Sequence, residues 1–229
     1  MKDDVKEIKK RVNEDWLKAF PELSLFAQNR LYKIFGPLII GLELIKLPRA
    51  EEYRQHFVCY PLWKKNVEEC LDSPIMLMEF KNKKGLQFSI PYIKHNIYFV
   101  EVIEFAKKQM PISFNHNVSL KEVLAVFDEY SKKPPLSAAP NSYLQARLAE
   151  AKLLVTLYVG DSEQIQRVMT EIEKKNWDSN HFKSWKTDYD KWISNLREKV
   201  DHRDELLNQI ALNKRDKKIA KLQQSELKA

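Results

Sequence analysis

At 229 residues with 44% hydrophobic composition, the chain is long and apolar enough for one large or two small folded domains, which excludes global disorder. Its net charge of +7 divides as +4 over residues 1–133 and +3 over 134–229, so neither half is a concentrated basic tract. Cys59 and Cys70 are the only cysteines and form no CxxC pair, which excludes a cysteine zinc site; free thiols in a reducing, cytoplasmic setting are the expectation.

Residues 4–18 place Val5, Ile8, Val12 and Trp16 at spacings of three or four, the pattern of an amphipathic helix. The charged "MKDDVKEIKKRVNED" lacks the apolar run of a signal peptide. After Phe20-Pro21 the period changes. "FGPLIIGLELIK" is the least polar stretch, yet its uncharged run from Ile34 ends at Glu43, well short of the ~20 residues that span a membrane. Gly36, Pro37 and Gly41 disfavour a helix, so a strand is expected, or two strands broken near Gly36-Pro37. Leu38, Ile40, Leu42 and Leu44 then share one face, with Ile39, Gly41, Glu43 and Ile45 on the other. Both faces are apolar until Glu43, as in a central strand covered on two sides.

In "EEYRQHFVCYPLW", Tyr53, Gln55, Phe57 and Cys59 alternate with Arg54, His56, Val58 and Tyr60. "PIMLMEF" and "LQFSIPY", joined through Lys83, Lys84 and Gly85, predict a hairpin, which completes an antiparallel meander of four or five strands. From Asn96 the period is helical, with Phe99, Val102, Ile103, Ala106 and Met110 in one stripe. Ser119 with Glu122 is a capping box that opens a helix through Val123, Val126, Phe127 and Tyr130. "KKPPLSAAP", residues 132–140, reads as a linker.

Beyond it the patterns are all helical. Ser142 with Gln145 starts a helix carrying Leu144, Leu148, Ala151, Val155 and Tyr158, and Gly160 stops it. Asp161 caps the next helix, which carries Ile165, Val168, Met169 and Ile172. This pair resembles one tetratricopeptide-type unit over about 34 residues, a likeness that implies a helical hairpin and nothing about activity. Phe182, Trp185, Tyr189, Trp192 and Leu196 form a third stripe, which predicts that Trp177, Trp185 and Trp192 are core. The tail "NKRDKKIAKLQQSELKA" is basic, with too few apolar residues for a membrane-inserting face, and reads as solvated and frayed.

The expected fold is therefore α+β: an N-terminal helix and an antiparallel β-meander with packed helices over 1–133, then an all-α helical-hairpin region over 134–229.

Chemistry is sparsely signalled. Gly36, Gly41, Gly85 and Gly160 lie too far apart for a phosphate loop or dinucleotide fingerprint, and there is no GxSxG or HExxH. No cofactor is expected. His56 and Cys59, three apart on a strand, point to opposite faces and do not make a nucleophile–base pair. His116, in "FNHN", reads as part of a polar loop. Glu79 and Lys81 share a strand face, and with Asp72 upstream they are similar to the Asp…Glu-x-Lys set of restriction-type nucleases. In that family the acids hold a divalent metal and the lysine assists hydrolysis. The chain contains seven acid-x-Lys triplets, however, and Asp72 sits in "LDSP", where aspartate caps turns.

The preferred reading is a soluble intracellular module that binds another protein, as an adaptor or an inhibitor does, through strand-region aromatics such as Tyr53, Tyr60 and Trp63. The alternative is a metal-dependent nuclease or nucleic-acid binder using Asp72, Glu79 and Lys81. Neither reading involves a membrane.

Overall fold

The computed structural model describes residues 2–115 and 117–229, with side chains from Lys6 onward; His116, read above as part of a polar loop, lies outside the described residues. Helix α1 (Lys2–Ala19) lays Val12 and Trp16 into the interior, both with no exposed surface. Five antiparallel strands follow as a meander: β1 (Ser24–Ala27), β2 (Arg30–Phe35), β3 (Leu38–Lys46), β4 (Glu52–Pro61) and, after the single-turn α2 (Val67–Cys70), β5 (Met76–Glu79). The expected break at Gly36-Pro37 is the β2–β3 turn, with Gly36 in the left-handed region at φ 51°. Gly41 is needed for another reason: a Cβ there would sit 2.0 Å from the Leu31 carbonyl oxygen of the neighbouring strand.

The sheet is a middle layer with a core on each face. Leu38, Ile40, Leu42 and Leu44 pack with Tyr53, Phe57 and Cys59 on one side, whereas Ile39 packs with Tyr32, Val58 and Tyr60 on the other. Strict alternation through β3 and β4 is what assigns these side chains, and it agrees with the sequence. The first core is closed by α1, by α3 (His95–Gln109) and by α4 (Leu120–Ser131). The second is closed by α6 (Ser162–Lys174), α7 (Ser179–Ser184), α8 (Tyr189–Asp201) and α9 (Arg203–Lys214). Helix α5 (Tyr143–Val159) serves both: Leu148, Ala151 and Val155 belong to the first core, and Ala146, Leu153, Leu154 and Leu157 to the second. The cores therefore do not divide at residue 133.

Local signals act as expected at the helix ends. Ser119 and Glu122 make the reciprocal capping box before α4. Ser142 accepts from the Gln145 backbone at 3.4 Å, but the Gln145 side chain donates to the Ser131 and Leu136 carbonyls instead of closing the box. Gly160, at φ 88°, ends α5, and Asp161 caps α6.

Four expectations need correction. "LQFSIPY" contributes one bridge (Lys81 to Gln87) and the two-residue β6 (Ile90–Pro91), which pairs with β4 rather than forming a full hairpin strand with β5. The third helical stripe is two helices. Lys186 adopts φ 55° and Asp188 caps α8, so Trp185 caps the end of α7 and is 48% exposed, while Trp177 and Trp192 are buried. The C-terminal tail is not frayed. Ile219, Leu222 and Leu227 are buried, β8 (Gln224–Ser225) adds in parallel to β2 beyond the end of β1, and β9 (Leu227–Lys228) pairs with β7 (Val118–Ser119). Strands thus occur after residue 140, in a region read as all helical.

Candidate functional site

The aromatics expected to face a partner are mostly interior. Tyr53 is fully buried, Tyr60 is buried and Trp63 is half-buried, so Tyr53 and Tyr60 cannot serve as contact residues. The sequence signalled aromatic rings but not the partners that let their hydroxyls be buried. The Trp16 indole N–H donates to the Tyr53 hydroxyl (3.3 Å), which lies 2.8 Å from His95 Nδ1. His95 Nε2 lies 3.2 Å from the Asp15 carboxylate. One tautomer satisfies the chain: Nε2–H donates to Asp15, and Nδ1 accepts from Tyr53. Burial lowers the pKa of His95, against the upward pull of Asp15. The chain clips α1 and α3 to β4.

A second polar row crosses the opposite sheet face. Arg30, Glu43, His56 and Glu79 are successive cross-strand neighbours on β2, β3, β4 and β5. Glu43 is buried and accepts from the hydroxyls of Tyr32 and Tyr60, the latter at 2.8 Å, with Arg30 Nε at 3.8 Å. Burial first, then the Glu43 charge, pushes both tyrosine pKa values up. His56 has both ring nitrogens engaged, Nδ1 on the Arg54 carbonyl (3.2 Å) and Nε2 on the Gln87 amide (2.9 Å), and burial depresses its pKa. Cys59 faces the other core, as expected from the period. With both ring nitrogens engaged, His56 offers none to a substrate or metal.

The nuclease-like residues are spread along the α2–β5 segment and just beyond it. Asp72 lies in the turn after α2, four residues before β5 begins, and Glu79 is the last residue of β5. Glu79 faces His56 across the ladder, and the Lys81 backbone is held on both sides by the Gln109 side-chain amide (3.0 and 2.6 Å). Among the described residues, no three His, Cys, Asp or Glu side chains are grouped to hold a metal ion.

Concave features are grooves between elements. The one between α1 and β1, about 570 Å³, is lined by Lys6, Lys10, Asn13, Leu17 and Leu25 among others, with Lys10 and Glu14 3.8 Å apart. It gathers no histidine, cysteine or tyrosine. It is not a constellation for acid–base or nucleophilic work.

One feature without an internal partner is apolar and exposed. On α3, Val102 and Ala106 are fully buried, and Phe99, Ile103 and Phe105 pack against the first core. On the opposite side Ile97 and Val100 are 72% and 75% exposed, preceded by Ile93 at 75% in the 3-10 turn Tyr92–Lys94. Tyr98 is also exposed. Spacings of four and three put Ile93, Ile97 and Val100 on one line along the helix. This line was readable in the sequence, but the buried stripe beside it accounted for the helix and hid it.

Searches among protein families, characterised proteins and solved structures give no match to this chain.

Proposed function

We propose that this chain is a protein-binding module, an adaptor or an inhibitor of another protein, whose contact surface is the outer side of α3. One observation carries the reading: three large aliphatic side chains in line, each about three-quarters exposed, on α3 and the turn that leads into it, with the other side of α3 in the core. Single exposed apolar residues are ordinary, whereas a contiguous line of them marks an interaction surface. An isoleucine kept in water forgoes about 1.5–3 kcal/mol of burial, which a partner can supply. An amphipathic groove or helix face is the complementary shape, read through i, i+4, i+7 anchors. Cys59 and Cys70 are both buried free thiols, which supports a reducing, cytoplasmic setting. Among the described residues no helix is long and apolar enough to cross a membrane.

A photo-crosslinking residue introduced at Ile97 in cells tests the proposal, with the same residue at Arg167 on α6 as control. The expected result is a discrete protein adduct at position 97 only, lost when Val100→Glu is added. Equal labelling at both positions would overturn the reading.

A further inference from the structure

We infer that the outer side of α3 pairs with a second copy of the same chain, antiparallel, about a two-fold axis passing near Ile97; this rests on the α3 reading above. The charges flanking the apolar line choose this occupant. Lys94 and Glu101 are exposed, and neither has an ion-pair partner among the described residues. Lys94 caps the start of α3 and Glu101 lies seven residues on, about two turns along the same flank and about 10 Å away. In an antiparallel pair related by a two-fold axis, residues equidistant from the axis on the same flank face each other. With the axis midway between residues 94 and 101, Lys94 of each copy meets Glu101 of the other, which makes two symmetric ion pairs. Ile93, Ile97 and Val100 fill the seam between the helices. The charged Glu104, Lys107 and Lys108 fall in the last turns of α3, beyond the apolar overlap.

Such an interface is isologous, as two-fold contacts must be: the same patch serves both partners. Its size sets its strength. Three aliphatic side chains and one ion pair per copy fall short of the ~800 Å² that a stable complex buries on each side. The pairing is therefore reversible and concentration-dependent, and it competes with any other protein that uses α3.

Sedimentation velocity of the full chain from micromolar to millimolar concentration tests this. The wild type should shift from monomer to dimer, and Ile97→Glu or Val100→Glu should keep it monomeric with an unchanged melting temperature. Lys94→Glu and Glu101→Lys, singly, should each weaken pairing about tenfold, because each creates two like-charge contacts. The double charge swap should restore it. A wild type that stays monomeric throughout would overturn the inference, as would a dimer that the double swap does not rescue. In either case, an Ile97 adduct to a different protein would leave the α3 reading standing.

Discussion

Helices α3 and α5 both carry apolar residues on opposite sides, yet only one of them is enclosed. In α5, Leu148 and Val155 enter the core on one face of the sheet, while Leu153, Leu154 and Leu157 enter the core on the other. A helix with apolar residues on two sides must cover both, and α5 does so because it stands where two cores join. Helix α3 has a single core to serve, so its second apolar side faces water at Ile97 and Val100. Similar sequence character thus has two meanings, and position in the layers decides between them. Apolar surface with an internal partner is packing; apolar surface without one is a place for an external partner.

That contrast is broken most sharply by truncation. Leu154→Ala in α5 should destabilise the protein by about 2–5 kcal/mol, since Leu154 has no exposed surface and its removal leaves a cavity. Chemical denaturation would measure this as a lower midpoint at constant slope. A loss under about 0.5 kcal/mol would mean that α5 does not join the two cores.

The tail extends the comparison to a segment with few apolar residues. Ile219 has no exposed surface, and the backbone around it is tied down: the Ile34 N–H donates to the Gln223 carbonyl (2.9 Å), and the Gly36 N–H donates to that of Ser225 (3.0 Å). Ile219→Ala should cost about 2–3 kcal/mol, at the lower end of the core range because part of the neighbouring surface can collapse. Rapid amide exchange at Ile34 and Gly36 would contradict this docking.

Smaller again is the effect of acid on the clip between α1 and α3. Burial lowers the pKa of His95, and His56 shifts in the same direction. The unfolded chain, with histidine near 6.5, then binds more protons than the fold at lower pH. The stability that neutral His95 contributes is complete above about pH 6.5 and is lost as pH falls toward its folded pKa. Protonation would also turn Nδ1 into a donor and end its acceptance from Tyr53. In His95→Gln, stability should depend less steeply on pH below 6.5 than in the wild type. An unchanged slope would show that His95 binds its proton equally well in the folded and unfolded chain.

The parts of this architecture that were legible in the sequence are those where a long pattern repeats. Nine residues of β3 and ten of β4 alternate strictly, and the faces read from them match the two cores. Caps at Ser119, Asp161 and Gly160 are local chemistry and were equally plain. The tail was not legible, because its strands are two residues long and its three buried apolar residues have no period. Tyr53 and Tyr60 misled because their burial depends on His95 and Glu43, which are distant in sequence or hidden in an apolar run. Trp185 misled because its three-four spacing continues across a break made by the left-handed Lys186. The candidate surface was half-legible: periodicity reveals that α3 has two apolar sides, but only the layering shows which one is left uncovered.

The smallest expected effect is the most telling for the comparison. Ile97→Ala removes as many methylene groups as a core isoleucine would lose, yet Ile97 is 72% exposed, so folding gains little from it. Stability should change by no more than about 0.5 kcal/mol, as at surface sites without special contacts. Trp185→Ala should lie just above this, near 1 kcal/mol, because the ring is half exposed and keeps one edge against Tyr143. A side chain worth nearly nothing to the isolated fold, but whose loss weakens association through α3, acts through a partner. If Ile97→Ala instead cost as much as Leu154→Ala, the outer side of α3 would already be covered by the chain itself, and the distinction between the two helices would disappear.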